Sequence, residues 1–510
     1  MFSFREARRS TKVRRARLVA VVVVATTTLA ACGSQLAPGD VIGRTAAGTQ
    51  GGTSIEAGGL PGIPGTAPDA ASGDGAPGDV PVADGGSGAA PGAGPVNDTG
   101  SGGSGGSGSD APAAPGGKGE NSATGGLKAA SCEGFKNQTG INDERILLGN
   151  AADVSGPVPG IFQSAREGAR AYAAYFNATN KLCGRKLEIL QLDSRADAGA
   201  DQQAYTRACQ ETFAVVGSMS AFDAGGAAVA EKCGLPDIRS TSVTTERGNC
   251  KTCFSAQPVS PNLVGTAMPN YFLRTHKAAT QKAAVLYINA GAAKGNAESQ
   301  RAAFIKAGWK VPYIQGIDVA EFNYAPYVQK MKSQGIRLVV YIGNYQNTVK
   351  LQQAMKQQSF KPDVFLQDGT VYDERYVQQA GDVAEGTYAY LSWEMYDNLK
   401  LPEMNLYRQW LNQVSPGAIP TGYGLYAWSA ARLFVEEATK LGGNLSRAEL
   451  VKALGRVKEW DGNGLHVKQA VGTKTTTACA KIIQFKSGKW QQVSKGSFEC
   501  GRLVDTGMSG

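Results

Sequence analysis

Short apolar runs alternate with stripes of helical period from about residue 145 onward. Arg145-Ile-Leu-Leu-Gly-Asn150 reads as a strand, and Phe162, Ala165, Ala169, Tyr172 and Phe176 recur at the spacing of one helix face. Lys186 to Leu192 is the next strand, a helix through Gln202 to Thr212 follows, and Phe213 to Gly217 forms a third strand with a helix after Phe222. The alternation then restarts. A helix from Asn262 to Thr275 leads to a strand at Ala283 to Ile288, helix 296–307 to a strand at 309–315, and helix 324–334 to Arg337–Ile342. Helix 346–357 precedes Asp363–Leu366. Leu425, Trp428, Ala431, Val435 and Ala438 form a late helical stripe, and Lys481 to Val493 reads as a hairpin turning at Ser487-Gly488. Strands alternating with helices predict an α/β fold with parallel sheets covered on both faces.

The patterned part, from about Cys132 to Cys500, spans roughly 370 residues. One core rarely grows that large, so two domains are expected. Two successive α/β units place a ligand site between them, at the carboxyl ends of the strands.

Composition changes the picture at the start of the chain. Arg5, Arg8, Arg9, Lys12, Arg14, Arg15 and Arg17 stand against one acid, Glu6, ahead of the apolar run Leu18–Ala25. That order is an export signal, too short in its apolar part for a permanent span. Leu29-Ala30-Ala31-Cys32 resembles the lipobox of bacterial lipoproteins, which implies cleavage after residue 31 and a lipid on Cys32. The whole chain carries +9 and residues 1–31 carry 7 − 1 = +6, so +3 remains and nucleic acid is not an expected partner. From Gly33 to about Ala130 the chain is Gly, Ala, Pro, Ser and Asp, with SGGSGGSGS at 101–109. Such a tract buries too little apolar surface to offset its ordering entropy. Residues 32–130 are therefore expected to be a disordered tether, with an end-to-end distance of roughly 50–60 Å.

Eight cysteines remain after Cys32, an even number in an exported chain, which reads as disulfides. The pairing expected is Cys132–Cys183, Cys209–Cys233, Cys250–Cys253 and Cys479–Cys500, each closing a short or hairpin-like loop. Cys250-Lys-Thr-Cys253 also has the spacing of a redox or metal motif, but no second such pair exists and the two histidines lie far away in sequence.

From about Ile146 to Val493 the chain resembles the type I periplasmic binding proteins, especially the branched-chain amino-acid-binding branch. The residues that carry it are Ser155-Gly156-Pro157, Gly168-Ala169, Gly184 to Asp193, Gly217 with Ser218-Met-Ser220, Tyr341-Ile-Gly343-Asn, and Ala384-Glu385-Gly386-Thr. The resemblance implies two Rossmann-like lobes joined by a three-segment hinge, within residues 131–510. Lobe one would be about 142–258 plus 388–456, and lobe two about 259–387 plus 457–500. It further implies that donors at Ser220, Ala221 and Phe222, with Ser242 and Thr244, meet a ligand carboxylate. Asp368 would face an ammonium, while Tyr345 and Phe162 border the pocket. Such serines and threonines, and an Asp before Gly, also serve as turn formers, and the two aromatics also serve as core. The family's tyrosine in the loop after the first strand of lobe two is replaced by Asn289-Ala-Gly-Ala-Ala-Lys-Gly295, so a roomier or differently shaped pocket is expected.

Enzyme chemistry finds little support. Only His276 and His466 exist, neither in a loop expected to face the cleft. Gly-x-Ser-x-Gly, His-Glu-x-x-His and a P-loop are absent from the patterned part, and no cofactor or metal is implied. The reading is a lipid-anchored, extracytoplasmic solute-binding protein. It takes an amino acid or a related amide-like or organic solute and delivers it to an ABC permease, a partner implied by the resemblance. The alternative is a ligand sensor or cell-envelope interaction protein on the same fold.

Overall fold

A computed structural model describes residues 129–260 and 262–508; the signal segment, Cys32 and the tether up to Lys128 lie outside the described residues. The first alternation runs β1 (Arg145–Ala152), α1 (Gln163–Thr179), β2 (Lys186–Asp193), α2 (Ala198–Glu211), β3 (Ala214–Val216), α3 (Ala227–Lys232), β4 (Asp237–Ser242), α4 (Thr245–Asn249) and β5 (Cys253–Pro258). Its five strands are all parallel, in the order β2-β1-β3-β4-β5. The second runs β6 (Leu263–Gly265), α5 (Ala267–Thr275), α6 (Lys277–Thr280), β7 (Ala283–Ile288), α7 (Ala293–Lys306), β8 (Tyr313–Ile317), α8 (Ala325–Ser333), β9 (Leu338–Ile342), α9 (Tyr345–Gln357), β10 (Val364–Asp368), α10 (Glu374–Ala380) and β11 (Thr387–Leu391). Then come α11 (Pro402–Val414), α12 (Gly422–Leu441), α13 (Arg447–Leu454), β12 (Cys479–Lys486), β13 (Lys489–Gln492), β14 (Glu499–Cys500) and β15 (Leu503–Asp505). The second sheet orders β13-β12-β11-β10-β9-β7-β8, parallel from β11 to β8, with the β12–β13 hairpin added antiparallel at one edge.

Apolar runs became central strands because both faces are covered: every residue of β7 and of β9 is buried. The two predicted stripes are α1 and α12, which pack together on the first sheet. Tyr172 meets the Trp428 ring edge-on at 4.9 Å, and Tyr175 stacks on it at 5.7 Å. Gly168 permits this approach, since a Cβ there would stand 2.1 Å from the carbonyl oxygen of Gly424. All four expected disulfides are formed.

Several boundaries differ from the sequence expectation. Residues 263–265 are not helical; they pair with β15, and the helix starts at Ala267. The strand β11 belongs to the second sheet, between β10 and β12, so the second crossing follows Leu391 rather than residue 387. Residues 457–478 do not go straight to lobe two. Trp460 and His466 both hydrogen-bond Ser429 of α12, at 2.8 Å each, which holds this stretch on lobe one. The strand β4 had no apolar signal because five of its six residues are polar, yet all six are buried.

Three crossing segments run side by side and are cross-linked by side chains. Gln257 Nε2 donates to Ser392 Oγ (2.8 Å), Ser392 Oγ meets Tyr426 Oη (2.8 Å), and Gln469 Nε2 donates to that phenol (3.1 Å). His466, in the third segment, is 3 % exposed, and burial pushes its imidazole down to about 4. Above pH ~6.5 both folded and unfolded chains hold it neutral. Below that, the unfolded chain takes a proton that the folded one refuses until about pH 4. Stability should therefore fall by up to about 3 kcal/mol across that window. Urea denaturation at pH 7 and pH 4.5 checks this: His466→Gln should lose that part of the acid sensitivity, and equal sensitivity in both chains would refute it.

Candidate functional site

Each parallel sheet reverses its strand order once, between β1 and β3 in the first and between β7 and β9 in the second. Loops diverge at such points and leave a crevice at the carboxyl ends of the strands. The two crevices face each other. They enclose a cleft of about 760 Å³, lined by Asp153, Met219 and Ala221–Phe222 from one lobe and by Asn289–Ala293 and Ile342–Gln346 from the other. Trp393 and Tyr423 lie beside the crossings, also on its wall.

The lobe-one wall is apolar where hydroxyls were expected. Phe162, Ala221 and Phe222 line the cleft, with Phe162 edge-on to Tyr423 at 4.8 Å. Ser220, Ser242 and Thr244 do not line it. The Ser220 hydroxyl is engaged by the buried Asp153 carboxylate and accepts from the Phe222 N–H (3.1 Å). Asp153 also accepts the N–H groups of Ala221 (2.8 Å) and Ala196 (3.0 Å). Burial pushes its carboxyl up, and these donors pull it back toward ionisation. Ser242 Oγ pairs with Ser255 Oγ at 3.0 Å. Thr244 Oγ1 donates to Asp223 at 2.5 Å and caps α4, while the Val243 N–H donates to the other Asp223 oxygen. A resolved set of donors has been taken up inside the protein.

The lobe-two wall carries Asp368 and Tyr345, where the resemblance puts them. Asp368 Oδ1 accepts both the hydroxyl (2.6 Å) and the N–H (3.0 Å) of Thr370; no donor among the described residues reaches Oδ2. Burial pushes this carboxyl up as well. Its charge, after the larger effect of burial, helps hold the phenols of Tyr390 and Tyr423 protonated. Gln300 Nε2 donates to Tyr390 Oη at 3.1 Å. The Arg375 guanidinium lies over the Tyr345 ring at 5.5 Å and is forked by Asp373, through Nε (3.0 Å) and Nη2 (2.6 Å).

The small-residue loop 289–295 does more than widen the pocket. The Ala292 N–H donates across the cleft to the Ala221 carbonyl at 3.1 Å. Gly291 presses on the same residue, with φ +54°, and a Cβ there would stand 2.6 Å from the Ala221 oxygen. The lobes thus touch backbone to backbone at one rim of the cleft.

The periplasmic binding protein family model matches residues 145–489, from β1 to β13, more than half of the chain. The chain belongs to the periplasmic binding protein family. It is a family of binding proteins rather than enzymes, and the two-lobed α/β fold is that of its type I members. Solved structures agree on the fold. The branched-chain amino acid transporter substrate binding protein LivJ from Streptococcus pneumoniae, in complex with isoleucine, is 17% identical with a TM-score of 0.59, over 70% of this chain and 99% of that one. A fatty acid ABC transporter substrate-binding protein from Thermomonospora curvata is 17% identical with a TM-score of 0.62, over 74% and 97%. An ABC transporter solute binding protein from R. palustris in complex with 4-hydroxybenzoate is 16% identical with a TM-score of 0.59, over 70% and 98%. No curated protein matches the chain.

For a binding protein of this family, sequence reasoning passed over Asp153, Tyr390 and Tyr423. Asp153 carries a usable signal: it is a carboxylate at the carboxyl end of the first strand, beside a switch point. Tyr390 and Tyr423 carry none, because their place on the cleft wall depends on which sheet holds β11 and how α12 starts. Chemically the site can enclose a solute, strip its water and offer aromatic faces with a few polar groups; no histidine lines it.

Proposed function

We propose that this protein is the lipid-anchored receptor of an ABC importer, capturing a small organic solute between its lobes. Residues 1–31 direct export, Cys32 carries the lipid, and residues 32–130 tether the binding region from 131 onward to the outer face of the cytoplasmic membrane. Among the described residues no helix is long and apolar enough to cross a membrane, which fits an anchor at Cys32. The reading rests above all on the cleft of about 760 Å³ shared by two lobes that meet at Ala221 and Ala292. A solute held there touches both walls only when the lobes are together, so binding draws the population toward closure. The closed form would then present both lobes to a membrane permease driven by a cytoplasmic ATPase. Phe162, Ala221, Phe222, Tyr345 and Asp368 are the side chains and backbone proposed to contact the solute. The relatives named above bind isoleucine, 4-hydroxybenzoate and, by its name, a fatty acid, which supports small organic solutes as the class.

Thermal denaturation of the full-length protein against amino acids, aromatic acids, amines and fatty acids tests the reading. One solute class at about one hundred times its Kd should add about 2.7 kcal/mol and raise Tm by several degrees. No shift across the panel would remove the binding role. In cell fractionation, Cys32→Ser should move the protein out of the membrane fraction; unchanged retention would remove the anchor.

A further inference from the structure

The chain fills its own anion seat. In lobe one, the backbone donor at Ala221, at the head of the segment after β3, is committed to Asp153, with the Ser220 hydroxyl beside that carboxylate. The second donor pair, the Val243 N–H and the Thr244 hydroxyl, is committed to Asp223. Two internal carboxylates thus occupy donors that the resemblance assigns to a ligand carboxylate. Asp153 and Asp223 are both 0 % exposed, so neither is a surface acid that swings aside.

The charges on the cleft wall point the same way. The charged lining residues are Asp153, Asp368, Asp373 and Arg375, three carboxylates against one guanidinium, 1 − 3 = −2. That guanidinium is already forked by Asp373. An incoming carboxylate would meet no free cation and would sit near like charge in a desolvated site, which disfavours its ionised form. Asp368, by contrast, keeps Oδ2 free of any donor among the described residues. Tyr390 and Tyr423 lie close enough to feel its charge, and Phe162 and Trp393 complete an aromatic wall. Aromatic faces beside an uncommitted carboxylate attract a cation through the ring quadrupole as well as through charge.

We propose that the solute is an organic cation lacking a carboxylate: an amine with an apolar or aromatic body, its nitrogen on Asp368 and its body against Phe162 and Tyr423. This rests on the cleft being a solute trap and narrows what the trap accepts.

Calorimetry on the full-length protein with matched triplets tests it: leucine, 3-methylbutylamine and 4-methylpentanoate; phenylalanine, phenethylamine and 3-phenylpropanoate; tryptophan, tryptamine and 3-indolepropanoate. Within a triplet that binds, the amine should bind at least about 100-fold more tightly than the other two. Asp368→Asn should weaken that amine by about 100-fold or more, as for an ion pair losing one partner. Asn keeps the side-chain oxygen that caps the turn at Thr370, so the Tm of the unliganded chain should hold. Equal or tighter binding of an amino acid or acid overturns the amine assignment and leaves the solute trap standing. No binding by any member of any triplet overturns both.

Discussion

Replacing Arg247 by methionine should lower the unfolding free energy by about 3–5 kcal/mol. Arg247 is 1 % exposed and holds lobe one together at four points. Its guanidinium reaches Asp201 (3.1 Å) and Asp237 (2.9 Å), donates to the Asp223 carbonyl (2.8 Å), and lies over the Tyr205 ring at 4.3 Å. Burial pushes the Asp237 carboxyl up, while Arg247 and Arg239 pull it back toward ionisation. Methionine preserves much of the volume but leaves Asp237 with Arg239 as its cation and, among the described residues, leaves Asp201 with no ion-pair partner. Neutralising a partner as well, in Arg247→Met with Asp201→Asn, should recover part of the loss, because the penalty lies in the stranded charge rather than in the missing attraction. Urea unfolding followed by tryptophan fluorescence measures both. A loss below about 1 kcal/mol, as for an exposed pair, would show that the network does not carry the lobe.

Gly291→Val should weaken solute binding by about 10- to 100-fold while the unliganded chain still folds, at a small cost in stability from a branched side chain at φ +54°. A Cβ at this position meets the Ala221 oxygen at 2.6 Å and the Ala221 Cβ at 3.0 Å. Both contacts lie across the cleft, so they exist only when the lobes are together. The substitution therefore raises the free energy of the closed state, and apparent affinity falls by the factor that closure loses. Overpacking costs typically about 1–3 kcal/mol, and only this clash separates closed from open, because the strain of a branched side chain at φ +54° is present in both. The closure penalty is therefore about one to two decades in Kd. Calorimetry with the solute that best stabilises the wild type reads the effect. An unchanged Kd would mean that the Ala221–Gly291 contact is not part of the bound state.

Legibility in the sequence followed the physical source of each element. The helices α1 and α12 were visible because their apolar stripes pack on a sheet, and β7 and β9 because burial on both faces demands an apolar run. The strand β4 was invisible for the opposite reason. Its Asp237 and Arg239 are buried only because Tyr205, Arg247 and Asp223 come to them from elsewhere in the chain, and no local pattern records that. The site divides similarly. The resemblance was enough to bring Phe162, Ala221, Phe222, Tyr345 and Asp368 to the cleft wall. It did not tell where a hydroxyl points. Ser220 lies next to the wall but serves Asp153, and Thr244 serves Asp223, partners fixed by tertiary contact over 67 and 21 residues. The loop 289–295 shows the limit most clearly. Its lack of a large side chain reads as extra space, whereas in the fold it lets backbone meet backbone.

The distance between the lobes tests the trap most directly. Gln202 on α2 and Lys330 on α8 are both exposed, one on each lobe, and each accepts a spin label after substitution by cysteine. Pulsed dipolar spectroscopy should find a broad or two-peaked distance distribution in the free chain. A solute concentration that just saturates the wild type should collapse it to one population, and that concentration should leave Gly291→Val only partly closed. A single distance that saturating solute leaves unchanged would contradict capture by closure.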